Sequence, residues 1–148
     1  MQTQQAQSNT VPASVFALWR EVDKLGLSTR EIVENMLAEE KDFEIDDYRF
    51  VHDSVIAETL KDYLGNDDYM LGCFTDWFLA DVLEIDLDVI QAMQKAEAFE
   101  AIGKLVVSMG KLDELAEQAA SYDGYGLFLA PYDGEDQEIG GYHVFRQN

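Results

Sequence analysis

Residues 38–50 read AEEKDFEIDDYRF. Six carboxylates (Glu39, Glu40, Asp42, Glu44, Asp46 and Asp47) stand there against Lys41 and Arg49, with Phe43, Ile45, Tyr48 and Phe50 threaded between them. From Asp42 to Asp46 polar and apolar residues alternate, which is the period of a strand or an extended connection and not of a helix. The reading decides the fold class, because a chain patterned mostly for helices must then include extended structure pinned to a core by Phe43, Ile45 and Phe50. The same alternation holds Asp42, Glu44 and Asp46 on one side, about 6.8 Å apart at roughly 3.4 Å per residue. Duplex DNA advances about 3.4 Å per nucleotide along each strand, so this row approximates alternate charges of a polyanion.

Outward from this stretch the helical period dominates. Residues 1–10 are rich in Gln, Ser, Thr and Asn and are expected to form a disordered tail, leaving residues 11–148 as a single globular domain. Pro12 suits a first helical turn, after which Val15, Leu18, Trp19, Val22 and Leu25 recur at helical spacing as far as Gly26. Ser28 followed by Glu31 reads as a capping box for a second helix with Ile32, Met36 and Leu37 inward. Asp53 can cap a third, with Val55, Ile56, Leu60 and Leu64 on its inner face and Gly65 as its stop.

Asp67 or Asp68 opens a segment that is apolar on two faces: Leu71, Phe74, Phe78 and Val82, then Met70, Cys73, Trp77 and Ala80. That breadth predicts a central helix. Asp86 can cap a segment reaching Gly110, in which Phe99, Ile102, Val106 and Met109 repeat and Ala96 or Gly103 is the place for a break. Leu112 to Ala119 is a short acidic helix. Two Tyr-Asp-Gly turns at 122–124 and 132–134 then bracket the alternating run YGLFLAP, and YHVFR at 142–146 is the natural return strand, with GEDQEIGG as the loop. The expected fold is α+β and mainly α, with about five or six helices around one core and a small C-terminal antiparallel β-hairpin that residues 42–46 can join.

The charge restricts the partners. Thirty Asp and Glu against ten Lys and Arg give 148 residues a formal charge of −20. Such a chain is repelled by DNA, RNA and anionic membranes, so direct nucleic-acid or membrane binding is excluded and a basic protein is the compatible partner. Cys73 is the single cysteine; it permits no intramolecular disulfide and, in an apolar run, is expected to be a buried thiol in a reducing cytosol. The N-terminus has no basic region leading into a sustained apolar stretch, and no apolar run approaches the roughly 20 residues of a membrane span. The chain reads as cytoplasmic.

Catalytic and metal signatures are missing from the pattern. His52 and His143 are the only histidines, neither lies in a nucleophile signature, and one cysteine with two distant histidines has no zinc spacing. No glycine-rich loop follows a strand in the form that cradles phosphate. Asp42, Glu44, Asp46 and Asp53 fall at calcium-loop positions one, three, five and twelve, but Asp47 stands where that loop needs glycine and Asp53 where it needs a bidentate glutamate. The Asp133, Glu135, Asp136 and Glu138 loop reads as a solvated hairpin tip. The expectation is a non-enzyme with no catalytic residues, no bound metal and no cofactor.

What remains is the distribution of acid. Between Glu31 and Asp88 eighteen carboxylates face only Lys41, Arg49 and Lys61, whereas residues 1–19 carry no charge. This set resembles small, very acidic phage- and plasmid-encoded inhibitors of host DNA-binding machinery, the DNA mimics of the anti-restriction and anti-CRISPR kind. That class shares no fold or motif, so the resemblance transfers no site residue. It implies a host-defence inhibitor or decoy for a basic surface that otherwise binds DNA or RNA. The residues expected to meet the partner are Glu39, Glu40, Asp42, Glu44, Asp46 and Asp47, extended by Asp67, Asp68, Asp81, Glu84 and Asp88, of which Asp81, Glu84 and Asp88 share a face if one helix carries them. The alternative is a protein-interaction module that binds through apolar and aromatic surface, with Tyr122, Tyr125, Tyr132 and Tyr142 as candidates and the acidity serving solubility.

Overall fold

The computed structural model describes residues 13–27 and 29–148. The elements are α1 Ala13–Asp23, α2 Thr29–Leu37, β1 Asp42–Ile45, β2 Tyr48–His52, α3 Ile56–Gly65, α4 Asp68–Gly72, α5 Asp76–Leu83, α6 Leu87–Lys95, α7 Phe99–Ser108, α8 Leu112–Asp123, α9 Gly126–Leu129, β3 Gln137–Ile139 and β4 Tyr142–Arg146. The class is mainly helical α+β, with more and shorter helices than the periodicity predicts. The expected tail at 1–10, Pro12 and the Ser28 cap lie outside the described residues. No helix among the described residues is long and apolar enough to cross a membrane.

The four strands form one antiparallel sheet in the order β1-β2-β4-β3, two hairpins joined through β2 and β4. Register assigns its two faces. Phe43, Ile45, Phe50, Ile139, Tyr142 and Val144 share one, and they pack with Val22, Ile32, Val33 and Met36 of α1 and α2. The other carries Asp42, Glu44, Arg49, Val51, His143, Phe145 and Glu138; at its centre Val51 and Phe145 pack with Ile56, Leu129 and Ala130. Phe43 stacks on Phe50 across β1 and β2 at 4.9 Å. The 42–50 stretch is thus pinned to a core, as the alternation requires.

A separate helical core gathers Leu60, Leu64, Leu71, Phe78, Leu79, Val82, Leu83, Ile90, Ile102, Val106 and Leu115. Here the expected central helix is two. The chain leaves α4 after Gly72 and restarts at Asp76, because α4 lies directly on α7. A Cβ on Gly72 would sit 1.9 Å from the Phe99 carbonyl oxygen, and one on Gly103 2.0 Å from that of Asp68. Gln94 satisfies the backbone freed by the break: its Nε2 donates to the carbonyls of Gly72 at 3.0 Å and Phe74 at 2.8 Å. Cys73 caps the end of α4 and is exposed, not buried in a core. The break between α6 and α7 falls at Ala96–Ala98, and Gly103 is a helix-interior contact instead of a stop.

The C-terminal hairpin uses different residues from those expected. YGLFLAP is not a strand; Gly126–Leu129 is one helical turn, with Gly126 close against the Gly134 carbonyl and Leu129 buried. The strand paired with β4 is Gln137–Ile139, drawn from the expected loop. Gly140 and Gly141, with φ of 57° and 82°, make the two-residue turn that a right-twisted hairpin favours. The Asp53 cap is likewise corrected: α3 begins after Val55 without a side-chain cap, and Asp53 reaches β4.

Candidate functional site

Six of the eleven expected contact residues lie together at the end of α2 and on the β1–β2 hairpin, all with exposed side chains. Glu39 and Glu40 follow α2, Asp42 and Glu44 lie on β1, and Asp46 and Asp47 form the turn between Ile45 and Tyr48. The expected three-carboxylate row is shorter, since β1 ends at Ile45 and Asp46 has a φ of 52°. One of its members is also neutralised. Arg49 forks onto Asp42 with bonds of 3.0 and 2.8 Å and lies opposite Glu44 in register. Fully presented charge is therefore left at Glu39, Glu40, Glu44, Asp46 and Asp47.

The other five stand on the helical layer. Asp67 caps α4, accepting from the Met70 N–H at 3.0 Å, and Asp68 opens that helix with its backbone against Gly103. Asp81 is exposed on α5, and Asp88 is exposed on α6. The shared helical face expected for Asp81, Glu84 and Asp88 does not form, because α5 ends at Leu83 and Glu84 turns the chain with a φ of 55°. Glu84 pairs with Lys111 at 3.6 Å. β1 packs on β2 and α2, whereas α4 packs on α3 and α7, so the two sets are carried by different cores.

A regularity that the sequence reading missed links acid to backbone. Every non-glycine residue with positive φ among the described residues is acidic: Glu39, Asp46, Glu84 and Glu97. Three of them end helices with the same paired hydrogen bonds. After α2 the N–H of Glu39 donates to Met36 and that of Glu40 to Asn35; after α5 the donors are Glu84 to Asp81 and Ile85 to Ala80; after α6 they are Glu97 to Gln94 and Ala98 to Met93. The left-handed position of this cap favours glycine, as at Gly110 after α7 with its φ of 67°. Glutamate there costs backbone strain, and its charge opposes the negative end of the helix dipole.

The second polar feature is a histidine held by acid. His143 on β4 is 4% exposed. Its Nε2 lies 3.0 Å from Asp53 and its Nδ1 2.9 Å from Asp136, with Glu138 at 3.9 Å. Tyr125 covers the ring from one side and Phe145 stacks beside it. With a carboxylate at each nitrogen, only the imidazolium can donate twice, and a neutral ring would turn a lone pair toward an anion. Burial alone opposes that charge, but the bonds the ring donates to Asp53 and Asp136 and the field of Glu138 outweigh it, so the pKa is raised above the ordinary histidine value. The ring ties β4 to the β2–α3 connection and to the chain entering β3. A hollow of about 510 Å³ opens beside it, lined by Glu21, Asp53, Glu138, Gly140, Gly141 and Tyr142.

This arrangement makes stability depend on pH. A raised folded pKa means stability fully present below the unfolded value of about 6.5 and lost as pH rises through the folded pKa. Wild-type melting temperature should fall as pH rises above about 6.5, by about 2–4 °C for each kcal/mol lost. The profile of H143Q should be flatter over that range. Equal slopes for the two proteins would show that His143 is not the charged clamp.

The remaining histidine is local: the Ser54 N–H and hydroxyl both reach the His52 Nδ1, at 3.1 and 2.7 Å. The aromatic candidates divide. Tyr142 is 3% exposed, with its hydroxyl donating to the Glu40 carbonyl, and Tyr125 lies over His143, so both belong to the interior and not to a contact surface. Tyr122 and Tyr132 are exposed. Among the described residues, no group of three or more His, Cys, Asp or Glu is arranged to hold a metal ion. No family model, curated protein or solved structure matches the chain.

Proposed function

We propose that this chain is a non-enzymatic acidic inhibitor or decoy that occupies a basic, nucleic-acid-binding surface of another protein. The observation that carries the reading is the placement of Glu39, Glu84 and Glu97 at helix-ending positions where the backbone favours glycine and the dipole disfavours negative charge. Acidity that served only solubility could be spread over sites where it costs nothing. Strain kept at particular positions is the mark of a surface retained for another reason. The β1–β2 hairpin is the centre of the contact: Glu44, Asp46 and Asp47 stand on a hairpin anchored by Phe43 and Phe50, and rigid presentation avoids the ordering cost that a flexible acidic tail incurs on binding. Asp67, Asp68, Asp81 and Asp88 extend the acidic field over the helical layer and steer the encounter.

The test compares salt and charge. The tagged chain is offered a host lysate and washed in parallel at about 0.15 M salt, where the screening length is about 8 Å, and at about 0.5 M, where it is shorter. A nucleic-acid-binding protein should be retained in the first wash, lost in the second and displaced by duplex DNA. Replacing Glu44, Asp46 and Asp47 together by lysine should weaken that capture at least tenfold, and E114K/E117K on α8 should weaken it less. Equal losses from the two variants, or a partner that ignores both salt and DNA, would discard the reading. The competing reading, an interaction module using apolar and aromatic surface, draws on the exposed Tyr122 and Tyr132 and is separable because its binding survives salt.

A further inference from the structure

Two residues expected in the core lie outside it. Trp19 on α1 is 43% exposed and Leu37 on α2 is 59% exposed, and Phe16, one turn before Trp19, is 57% exposed. The inward sides of these helices are occupied by Val15, Leu18, Val22, Ile32, Val33 and Met36. Phe16, Trp19 and Leu37 therefore form a second apolar face, whose groove of about 630 Å³ is also lined by Val15, Val33, Arg30 and Glu34.

Charge decides what this face can meet. Residues 13–37 contain three basic and four acidic side chains, so they carry one of the chain's twenty net negative charges. The polar lining is itself balanced, with Arg30 and Glu34 paired at 2.9 Å. Other exposed aromatics differ: Trp77 and Tyr122 touch edge to face, but Asp76 and Asp123 adjoin them in the chain. A basic partner is drawn to the acidic hairpin and helical layer and gains nothing electrostatic at the α1–α2 groove. A second copy is repelled by every strongly acidic face and is admitted only where the surface is apolar and near neutral. A two-fold axis through the groove sets apolar surface against its own copy and lets Arg30 of one chain face Glu34 of the other, which makes the patch self-complementary.

We infer that the α1–α2 groove is a homodimer interface, in which Phe16, Trp19 and Leu37 pack against the same residues of a second copy. The dimer leaves both acidic hairpins outside the contact and presents two acidic surfaces related by the two-fold axis. Its salt response is opposite in sign to that of the proposed partner contact. Salt weakens attraction between acid and base, but it relieves the repulsion between two chains of −20 and so tightens the dimer.

Sedimentation velocity on the full chain, over concentrations from about 1 to 200 μM and at about 0.05 and 0.5 M salt, tests this. The expected result is a species of twice the monomer mass whose dissociation constant falls several-fold at the higher salt. W19E and, independently, L37E should each raise that constant about tenfold or more, while circular dichroism stays close to wild type, so that any lower melting temperature at high concentration reports the lost dimer. Failure of the dimer does not touch the decoy reading, which is measured by partner capture. A monomer at both salts overturns the inference, as does a dimer that both variants leave intact or that the higher salt dissolves. A monomer that instead captures an apolar helix of another protein would assign the groove to that partner and would equally overturn it.

Discussion

G103A is expected to cost about 3 kcal/mol or more, from one added methyl group. Gly103 lies inside α7, where its Cα meets the backbone of Asp68 at the start of α4. A Cβ there would be 2.0 Å from the Asp68 carbonyl oxygen and 2.6 Å from its Cα. Neither atom belongs to a side chain that can rotate away, so the two helices must separate. Separation would uncover Leu71 on α4 and Ile102 and Val106 on α7, all fully buried. G72A should behave alike, since its Cβ would meet the Phe99 carbonyl at 1.9 Å. G65A is the control: its nearest neighbour is the Leu112 Cδ2 at 2.9 Å, the end of a flexible side chain, so its cost should stay within about 1 kcal/mol. Urea or thermal unfolding reads the result. At about 2–4 °C per kcal/mol, G103A should melt some 6–12 °C below wild type or fail to fold cooperatively. A G103A variant as stable as G65A would show that α4 and α7 are not in backbone contact.

The second large effect has the opposite sign. Replacing Glu39, Glu84 and Glu97 together by glycine should stabilise the fold by about 3–4 kcal/mol. Each substitution removes left-handed strain of about 1–2 kcal/mol and an unfavourable dipole interaction of about 0.3–1 kcal/mol, less about 0.5–1 kcal/mol for the freedom that glycine adds to the unfolded chain. Glu84 should contribute least, because its exposed pair with Lys111 is lost. The mirror experiment is G110A, at the same kind of cap with open space around it, which should cost about 1 kcal/mol. The triple variant also tests the link between strain and function. If the decoy reading holds, the more stable protein should capture its partner less well, trading binding for stability. Unchanged or lower stability would remove the argument that these carboxylates are kept at a cost.

The legible parts of the fold were those set by short-range pattern. Alternation at 42–46 marked β1, and the inward residues of α3, Ile56, Leu60 and Leu64, are buried as their spacing predicts. Misreadings arose where two local signals competed. Tyr-Asp-Gly at 132–134 reads as the turn and Gly140-Gly141 as the end of its loop, yet the double glycine makes the turn because it permits positive φ at both central positions. The run from Asp67 to Val82 has a continuous helical period, but the period does not register that α4 must lie against α7.

For the candidate site, the sequence by itself determined the quantity of acid, its concentration between Glu31 and Asp88, and the alternation of acidic with aromatic and aliphatic residues in the 38–50 stretch. These are properties of composition and nearest neighbours, which a chain carries whether folded or not. Only the tertiary structure decided that Arg49 cancels Asp42, that the acids of β1 and α4 stand on separate cores, and that His143 draws in Asp53 from ninety residues away. It also decided that Trp19 and Leu37 face outward, because the sheet's inner face is filled by their neighbours Val22, Ile32 and Met36. Which of several apolar faces is buried depends on the surface it packs against, and that surface is assembled from residues distant in the chain.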